Sequence, residues 1–287
     1  MSEPLSLGAL REMGAQRLRA AAAAHGPDAT PELDAELLLI HVFGVSRTRL
    51  RSHPEVSVGG QAEYERYIGL LERRATGEPL AYITGKKDFW SLQLTVTPAV
   101  LVPRPETELL VERALAVRPQ DSGCVVDLGT GSGAIALSLA SERRDWEVTA
   151  TDASAEALAV ARANAEALGL SRVRFLLGSW LEPLAGARFN LIVSNPPYVA
   201  ADDPAMQDPA LRHEPRQALT PGPDAMTSLR TIIEAAPDYL ERDGWLLLEH
   251  GAGQAAEVAH ALVARGLRSV RSHRDLAGHE RMTEAQL

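Results

Sequence analysis

Four consecutive residues, Asn195-Pro196-Pro197-Tyr198, close an apolar run from Asn190 to Ser194 that reads as a buried β-strand. Two prolines in a row fix φ and remove two backbone donors. The residue before a proline is biased away from the helical region. A rigid turn is expected, with carbonyl groups left free to accept bonds from something else. Such a turn suits the handling of a planar NH2 group. The nitrogen of an amide or arylamine has its lone pair delocalised into the neighbouring π system. It attacks an electrophile best when each N–H has an acceptor and the plane of the group is fixed. The side-chain oxygen of Asn195 and the carbonyl of Pro196 can be those acceptors, Pro197 stiffens the corner, and Tyr198 can stack on the flat group. That is catalysis by positioning and preorganised electrostatics.

A second motif, Asp127-Leu128-Gly129-Thr130-Gly131-Ser132-Gly133, joins an apolar strand to a helix. Glycines at the carboxyl end of a strand allow a tight turn and close backbone approach to a ligand, and ligands in open α/β sheets bind at that rim. The G-x-G-x-G spacing has a shorter third interval than the dinucleotide fingerprint, which favours a compact cofactor without a pyrophosphate and disfavours a nicotinamide dehydrogenase. The next strand ends in Thr151-Asp152, 19 residues past Gly133. An acid there can accept hydrogen bonds from both ribose hydroxyls, although it could also cap the helix that follows. The two signals together point to S-adenosyl-L-methionine, a cation that needs no external Lewis acid.

These motifs need a scaffold that brings both turns to one rim. From Gly123 onward strands and helices alternate: strands at Cys124–Leu128, Glu147–Thr151, Arg174–Leu177, Asn190–Ser194, Trp245–Glu249 and about Leu267–Ser272, and helices over 133–143, 154–168, 227–241 and 253–265. The fold class is therefore α/β, a Rossmann-like, mostly parallel sheet covered on both faces. Residues 1–79 read as a small all-helical domain. Ala20 to Ala24 continue a first amphipathic segment, Pro31-Glu32-Leu33-Asp34 opens a second helix that Gly44 ends, and a third runs from about Gln61 to Arg74. Residues 80–103 read as a β-hairpin linker, with Tyr82, Ile83, Phe89, Trp90, Leu92 and Val96 broken by Gly85-Lys86-Lys87-Asp88. The third segment, 104–287, carries both motifs.

Composition narrows the partners. Net charge is −9, with 38 acidic residues against 29 basic ones, and only Lys86 and Lys87 are lysines. An acidic chain is not built to sit on phosphate backbones by bulk attraction, so a protein substrate is expected rather than nucleic acid. Cys124, the one cysteine, excludes an internal disulfide and reads as a small core residue. The eight histidines show no metal-ligand spacing, so no metal is expected. The first residues lack a basic leader and an apolar stretch, and no run of 18 apolar residues occurs. A cytoplasmic monomer with no membrane association is expected.

The glycine turn, Asp152 and Asn195-Pro-Pro-Tyr198, in that order, resemble class I methyltransferases that act on planar NH2 groups, a class that includes DNA adenine-N6 and cytosine-N4 enzymes. Other stretches resemble the HemK/PrmC family of peptide-chain release factor glutamine methyltransferases: Gly77-Glu-Pro-Leu80, Ile83-Thr-Gly85, Phe89-Trp90, Pro103-Arg-Pro-Glu-Thr-Glu108 and Leu248-Glu-His-Gly251. The resemblance implies that Gly129, Thr130, Gly131, Ser132, Gly133, Asp152, Trp180 and Asn195 bind S-adenosyl-L-methionine. It implies that Asn195, Pro196, Pro197 and Tyr198 grip the substrate amide, with Asn195, Pro196 and Tyr198 catalytic. The implied substrate is the glutamine of the Gly-Gly-Gln tip of class-1 release factors, methylated at N5, and the helical domain would recognise that protein. Arg104, Glu106 and Thr107 could line the cofactor mouth or simply start a helix. His213-Glu214-Pro215 lies in a long loop, 199–226, that could close over substrate. Glu249 reads as structural, and Ala225 stands where the family has a glycine. The competing readings are a DNA amino-methyltransferase and a binding module that keeps the cofactor as a structural ligand.

Overall fold

The computed structural model describes residues 5–21, 30–118 and 122–287. It divides into two compact units, Met1–Gly85 with Gln207–His213, and Lys86–Met206 with Glu214–Leu287. The first unit is helical: α1 (Leu7–Ala20), α2 (Pro31–Phe43), α3 (Arg47–Ser52), α4 (Gln61–Ala75) and α5 (Leu80–Thr84). Its boundaries follow local chemistry. The Ser6 side chain accepts from the Ala9 amide to cap α1. A proline begins α2, and Gly44, at φ 63°, ends it in the left-handed region. The core gathers Leu7, Leu10, Leu18, Leu38, Leu39 and Leu71 around Tyr67, whose hydroxyl reaches the carbonyls of Leu10 and Ala35 at 3.3 and 3.1 Å. The expected continuation of the first helix through Ala22–Ala24 lies outside the described residues.

The linker reading needs correction. Tyr82 and Ile83 lie in α5, not in a strand, and the hairpin is shorter. Its strands are β1 (Lys86–Phe89) and β2 (Leu92–Thr95), paired antiparallel from Lys86↔Thr95 to Phe89↔Leu92. The Lys86-Lys87-Asp88 segment, expected to break the strands, forms the first of them. Polar residues suit it because β1 alternates exposed and buried positions, with only Phe89 fully inside. The short α3 was not foreseen at all.

The second unit continues with α6 (Glu108–Val117), β3 (Gly123–Leu128), α7 (Ala134–Glu142), β4 (Trp146–Asp152), α8 (Ala155–Ala167), β5 (Arg174–Leu177), β6 (Phe189–Ser194), α9 (Thr227–Ala235), β7 (Leu240–Glu249), α10 (Ala255–Ala264), β8 (Arg268–Arg274) and β9 (Glu280–Gln286). The sheet has seven strands in the order β5-β4-β3-β6-β7-β9-β8. All neighbours are parallel except β9, which runs antiparallel to both β7 and β8. Successive strand residues face opposite sides. Val125, Leu191 and Leu247 pack with α6 and α7 side chains such as Leu110 and Leu137. Val126, Ile192 and Leu246 pack with Leu229 and Ile232 of α9 and Val258 and Leu262 of α10. The sheet is thus covered on both faces, as strand–helix alternation requires. Cys124 is only half-buried at the start of β3, with Sγ 3.9 Å from Glu147, and is not the core residue expected.

Strand β9 was missed because it is polar and yet interior to the sheet. Glu284 is 1% exposed. The Arg113 guanidinium of α6 meets it edge-on, Nε to Oε2 at 3.0 Å and Nη2 to Oε1 at 3.1 Å. Thr283 bonds His250 and Ser272, both at 2.9 Å. A strand whose buried positions are filled by partnered polar groups shows no hydrophobic alternation. The nominal 227–241 helix likewise gives way to a 3-10 turn at Ala236–Asp238, where Pro237 cannot continue it, and β7 starts at Leu240. Arg113→Ala should leave the buried Glu284 carboxylate with only His273 Nε2 within reach, at 3.2 Å. Urea unfolding should show a loss of about 3 kcal/mol, the usual cost of breaking one side of a buried pair. A loss below about 0.5 kcal/mol would mean that the pair contributes no more than a surface one.

Candidate active site

Strands β3 and β6 lie side by side, while β4 continues the sheet on one flank and β7 on the other. The crossovers after β3 and β6 therefore depart in opposite directions and open a crevice at the carboxyl edge. The Ser194 hydroxyl donates to the Leu128 carbonyl at 2.7 Å and ties the two strand ends together. One cleft in the second unit is lined by Gly129, Thr130, Gly131, Ser132, Asp152, Trp180, Asn195 and Pro197. Its other walls include Val100, Pro103, Arg104 and Thr107 from the segment before α6, and Pro215, Gln217 and Ala218 from the loop after the Asn-Pro-Pro-Tyr corner. Gly133, Pro196, Tyr198 and Glu106 are not among the lining residues.

The glycine turn is held from behind. The amides of Gly129 and Thr130 both donate to the Thr151 carbonyl, at 2.9 and 3.0 Å. Gly131 has φ 55° and nothing within 4 Å of where a Cβ would stand, so its face opens on the cleft. At Gly129 a Cβ would stand 3.2 Å from the Trp180 ring, which explains the missing side chain. Gly133 serves packing instead: a Cβ there would be 2.9 Å from Leu137. Trp180 itself has φ 49°, a costly conformation for a bulky residue. Its carbonyl accepts from the Thr151 hydroxyl at 2.8 Å, which keeps the ring along the turn.

Asp152 stands at the end of β4. Its Oδ2 accepts from the Gly131 amide at 2.9 Å and its Oδ1 from the Ser154 amide at 2.8 Å. The cap of α8 is the Ser154 side chain, not Asp152. A carboxylate has about four acceptor positions, so lone pairs remain for hydroxyl groups of a ligand. An open backbone turn, a cleft-facing carboxylate with spare acceptors and an indole against the glycine face fit the nucleoside part of S-adenosyl-L-methionine.

At the corner, Asn195 Nδ2 donates to Thr107 Oγ1 at 3.1 Å. Tyr198 turns away from the lining and packs among the residues under α9 and α10. Its hydroxyl donates to Glu249 Oε1 at 3.2 Å, and burial pushes its pKa above the ordinary value. Gln254 Nε2 donates to the Tyr198 carbonyl at 3.2 Å. Burial lifts the Glu249 carboxyl to about 7, against the pull of the Thr107 and Tyr198 hydroxyls and the charge of Arg281. Of the Arg104, Glu106 and Thr107 group, Arg104 and Thr107 face the cleft and Glu106 is exposed.

Three acids noted in the sequence act here as anchors. Glu214 is buried, with Oε2 accepting from the Val102 amide at 3.0 Å and Oε1 from Arg104 Nη2 at 2.5 Å. It therefore pins the far side of the loop to the cleft wall, whereas His213 belongs to the first unit. Asp127 is fully buried beneath the glycine turn, where Oδ2 accepts from the Thr130 hydroxyl at 2.6 Å and the Ala136 amide at 3.2 Å. Its Oδ1 has no partner. The third acid is Glu249, buried behind the corner. Asn164 of α8 joins the turn to the hairpin: Nδ2 donates to the Ser132 and Thr95 carbonyls, both at 2.9 Å. A signal for Asp127 was present, since it directly precedes the glycines. None marked Asn164. Among the described residues, no three His, Cys, Asp or Glu side chains cluster as a metal site, and no helix is long and apolar enough to cross a membrane.

Burial raises the Asp127 carboxyl from 3.8 to about 7, more than its two hydrogen bonds lower it, and Asp152 adds to the rise. The folded state therefore holds this proton more tightly than the unfolded chain. The contribution is full below pH 3.8 and disappears as pH climbs through about 7. Asp127→Asn cannot ionise. Measured by urea unfolding, its stability relative to the unsubstituted chain should rise between pH 4 and pH 8. A difference that stays flat across this range would show that Asp127 titrates normally.

Residues 105–222 match the family model for the methyltransferase small domain, and residues 9–85 match the PrmC N-terminal domain. A release factor glutamine methyltransferase from Pseudomonas aeruginosa is 49% identical over 91% of this chain and 94% of its own length. One from Escherichia coli is 42% identical over 88% of this chain and 91% of its own length. A solved methyltransferase from Pyrococcus furiosus superposes with a TM-score of 0.53 at 20% identity, covering 77% of this chain and 98% of the other, a likeness of fold. With the cleft built from the glycine turn, Asp152 and the Asn-Pro-Pro-Tyr corner, and with relatives this similar over nearly its whole length, the chain belongs to the release factor glutamine methyltransferase family.

Proposed function

We propose that the chain transfers a methyl group from S-adenosyl-L-methionine to the side-chain amide nitrogen, N5, of the glutamine in the Gly-Gly-Gln tip of class-1 release factors. The observation that carries this reading is the placement of Asn195 and Asp152 on one cleft. A cofactor site and an amide-gripping corner then act on the same two reactants. When bound, S-adenosyl-L-methionine supplies an electrophilic methyl group on a positively charged sulfur. Asp152 would hold the ribose hydroxyls, the Gly129–Gly133 turn would let the cofactor lie close to the backbone, and Trp180 would flank the adenine. Asn195 Oδ1 and the Pro196 carbonyl accept the two N–H bonds of the substrate amide. They would hold its plane and stabilise the positive charge that grows on nitrogen as it takes the methyl from sulfur, after which S-adenosylhomocysteine leaves and the nitrogen gives one proton to solvent. Tyr198, expected to stack on the substrate, is packed behind the corner instead, where its hydroxyl on Glu249 braces the turn.

The helical unit is proposed to recognise the release factor. The chain is proposed to act as a monomer in the cytoplasm and without nucleic-acid binding of its own. A net charge of −9 supports the last point. The DNA amino-methyltransferase alternative is not favoured, because relatives at 42–49% identity carry the release factor name. Incubation with labelled cofactor and a class-1 release factor, followed by peptide mass spectrometry, should place one methyl on the tip glutamine and none on a Gln→Ala control. A methyl on any other residue would overturn the substrate assignment.

Two substitutions test the roles. Asn195→Ala should cut turnover by roughly 10²–10³, as loss of one preorganised contact does, with cofactor affinity little changed. Near-normal turnover would remove Asn195 from the chemistry. Asp152→Ala should weaken cofactor binding by about 1–3 kcal/mol, the worth of hydrogen bonds to a charged group, and unchanged calorimetric affinity would take it out of the site.

A further inference from the structure

Asn195 serves the proposed reaction only with its oxygen toward the cleft. A primary carboxamide has nearly the same shape either way round. Turned over, it would set Nδ2 against a substrate NH2, donor facing donor. Something behind the corner must therefore decide which end faces in. The Nδ2 end donates to Thr107 Oγ1 at 3.1 Å. That contact alone decides nothing, because a hydroxyl can accept from Nδ2 or donate to Oδ1 equally well.

The decision lies one group further back. Thr107 is 4% exposed, and its hydroxyl lies against the carboxylate of Glu249 at the end of β7, lowering that group's pKa. Above a pKa of about 7, where the Glu249 carboxyl is ionised, it only accepts. It claims the Thr107 proton and leaves Thr107 with nothing but lone pairs to offer Asn195. The carboxamide is then committed, with Nδ2 toward Thr107 and Oδ1 toward the cleft. The Tyr198 hydroxyl donates to Oε1 of the same carboxylate at 3.2 Å, so both polar ends of the corner refer to one acceptor. Packing does not account for this acid. Glu249 is 2% exposed, and burying an acid costs folding free energy.

We propose that Glu249 is a positioning residue for the methyl transfer, setting the sense of the Asn195 carboxamide through the Thr107 hydroxyl. The proposal rests on the reading of Asn195 as an amide acceptor. Glu249→Gln is the sharpest probe, because it keeps the shape. Its Oε1 still accepts from Tyr198, while its Nε2 can donate to Thr107. Thr107 can then donate to Asn195 Oδ1 and turn the carboxamide over. With a release factor and labelled cofactor at saturation, E249Q should lose about ten- to hundred-fold in kcat. Its affinity for S-adenosylhomocysteine and its thermal midpoint should stay near those of the unsubstituted chain. Thr107→Val should lose a similar factor, and Thr107→Ser, which restores the hydroxyl, should recover it. The double variant T107V/E249Q should be no slower than T107V, because a broken relay has no sense left to lose.

Undiminished kcat in E249Q, or losses that multiply in the double variant, would overturn the relay. If E249Q does not fold, the serine and valine variants at position 107 decide, and equal turnover in those two overturns it as well. Loss of turnover in N195A with none in E249Q defeats the relay alone. Full turnover in N195A defeats the reading beneath it.

Discussion

Everything in the site depends on two parallel strands that end together. β3 and β6 are hydrogen-bonded neighbours from Val125↔Leu191 to Leu128↔Ser194. The residue after each strand end begins one of the two working turns. Parallel pairing with crossovers departing to opposite sides leaves a crevice there by topology. The Ser194–Leu128 bond closes the last rung. A one-residue slip in this register would turn the buried faces of β6 outward and move Asn195 off the cleft. The apolar faces on both sides of the sheet, with Val125 and Val126 packed into opposite clusters, are therefore what fixes the distance between cofactor and amide sites.

Buried acids do the finer placing. Asp127 holds the glycine turn through Thr130 and Ala136, Glu214 holds the cleft wall through Val102 and Arg104, and Glu249 stands behind Thr107 and Tyr198. Carboxylates suit this work because they accept several bonds and donate none, so they fix the direction of each hydroxyl and amide they meet. The cost is desolvation, visible in the raised pKa values of Asp127 and Glu249. Such groups lie near functional sites more often than chance would place them.

What the sequence revealed follows from which signals are local. The glycine spacing, the proline pair and the acid at the end of β4 each act within a few residues, and the structure brings Gly129–Ser132, Asp152, Trp180, Asn195 and Pro197 to one cleft. The alternating strands and helices were legible because apolar runs such as Asn190–Ser194 sit in a sheet covered on both faces. Strand β9 was not legible, because its interior positions are filled by Thr283 and Glu284 with partners on other elements. The helix over Leu80–Thr84 was hidden by aromatic and β-branched residues that suit a strand equally well. Thr107 and Glu214 drew notice through the family motifs, but their partners were not legible, because those bonds span 88 and 112 residues.

The geometry at the corner can be tested directly. A crystal structure with S-adenosylhomocysteine and a glutamine-bearing release factor peptide should place the amide nitrogen about 2.7–3.2 Å from both Asn195 Oδ1 and the Pro196 carbonyl, with the cofactor ribose on Asp152 in the same cleft. A glutamine amide bound away from Asn195, or a ribose that does not reach Asp152, would contradict the account.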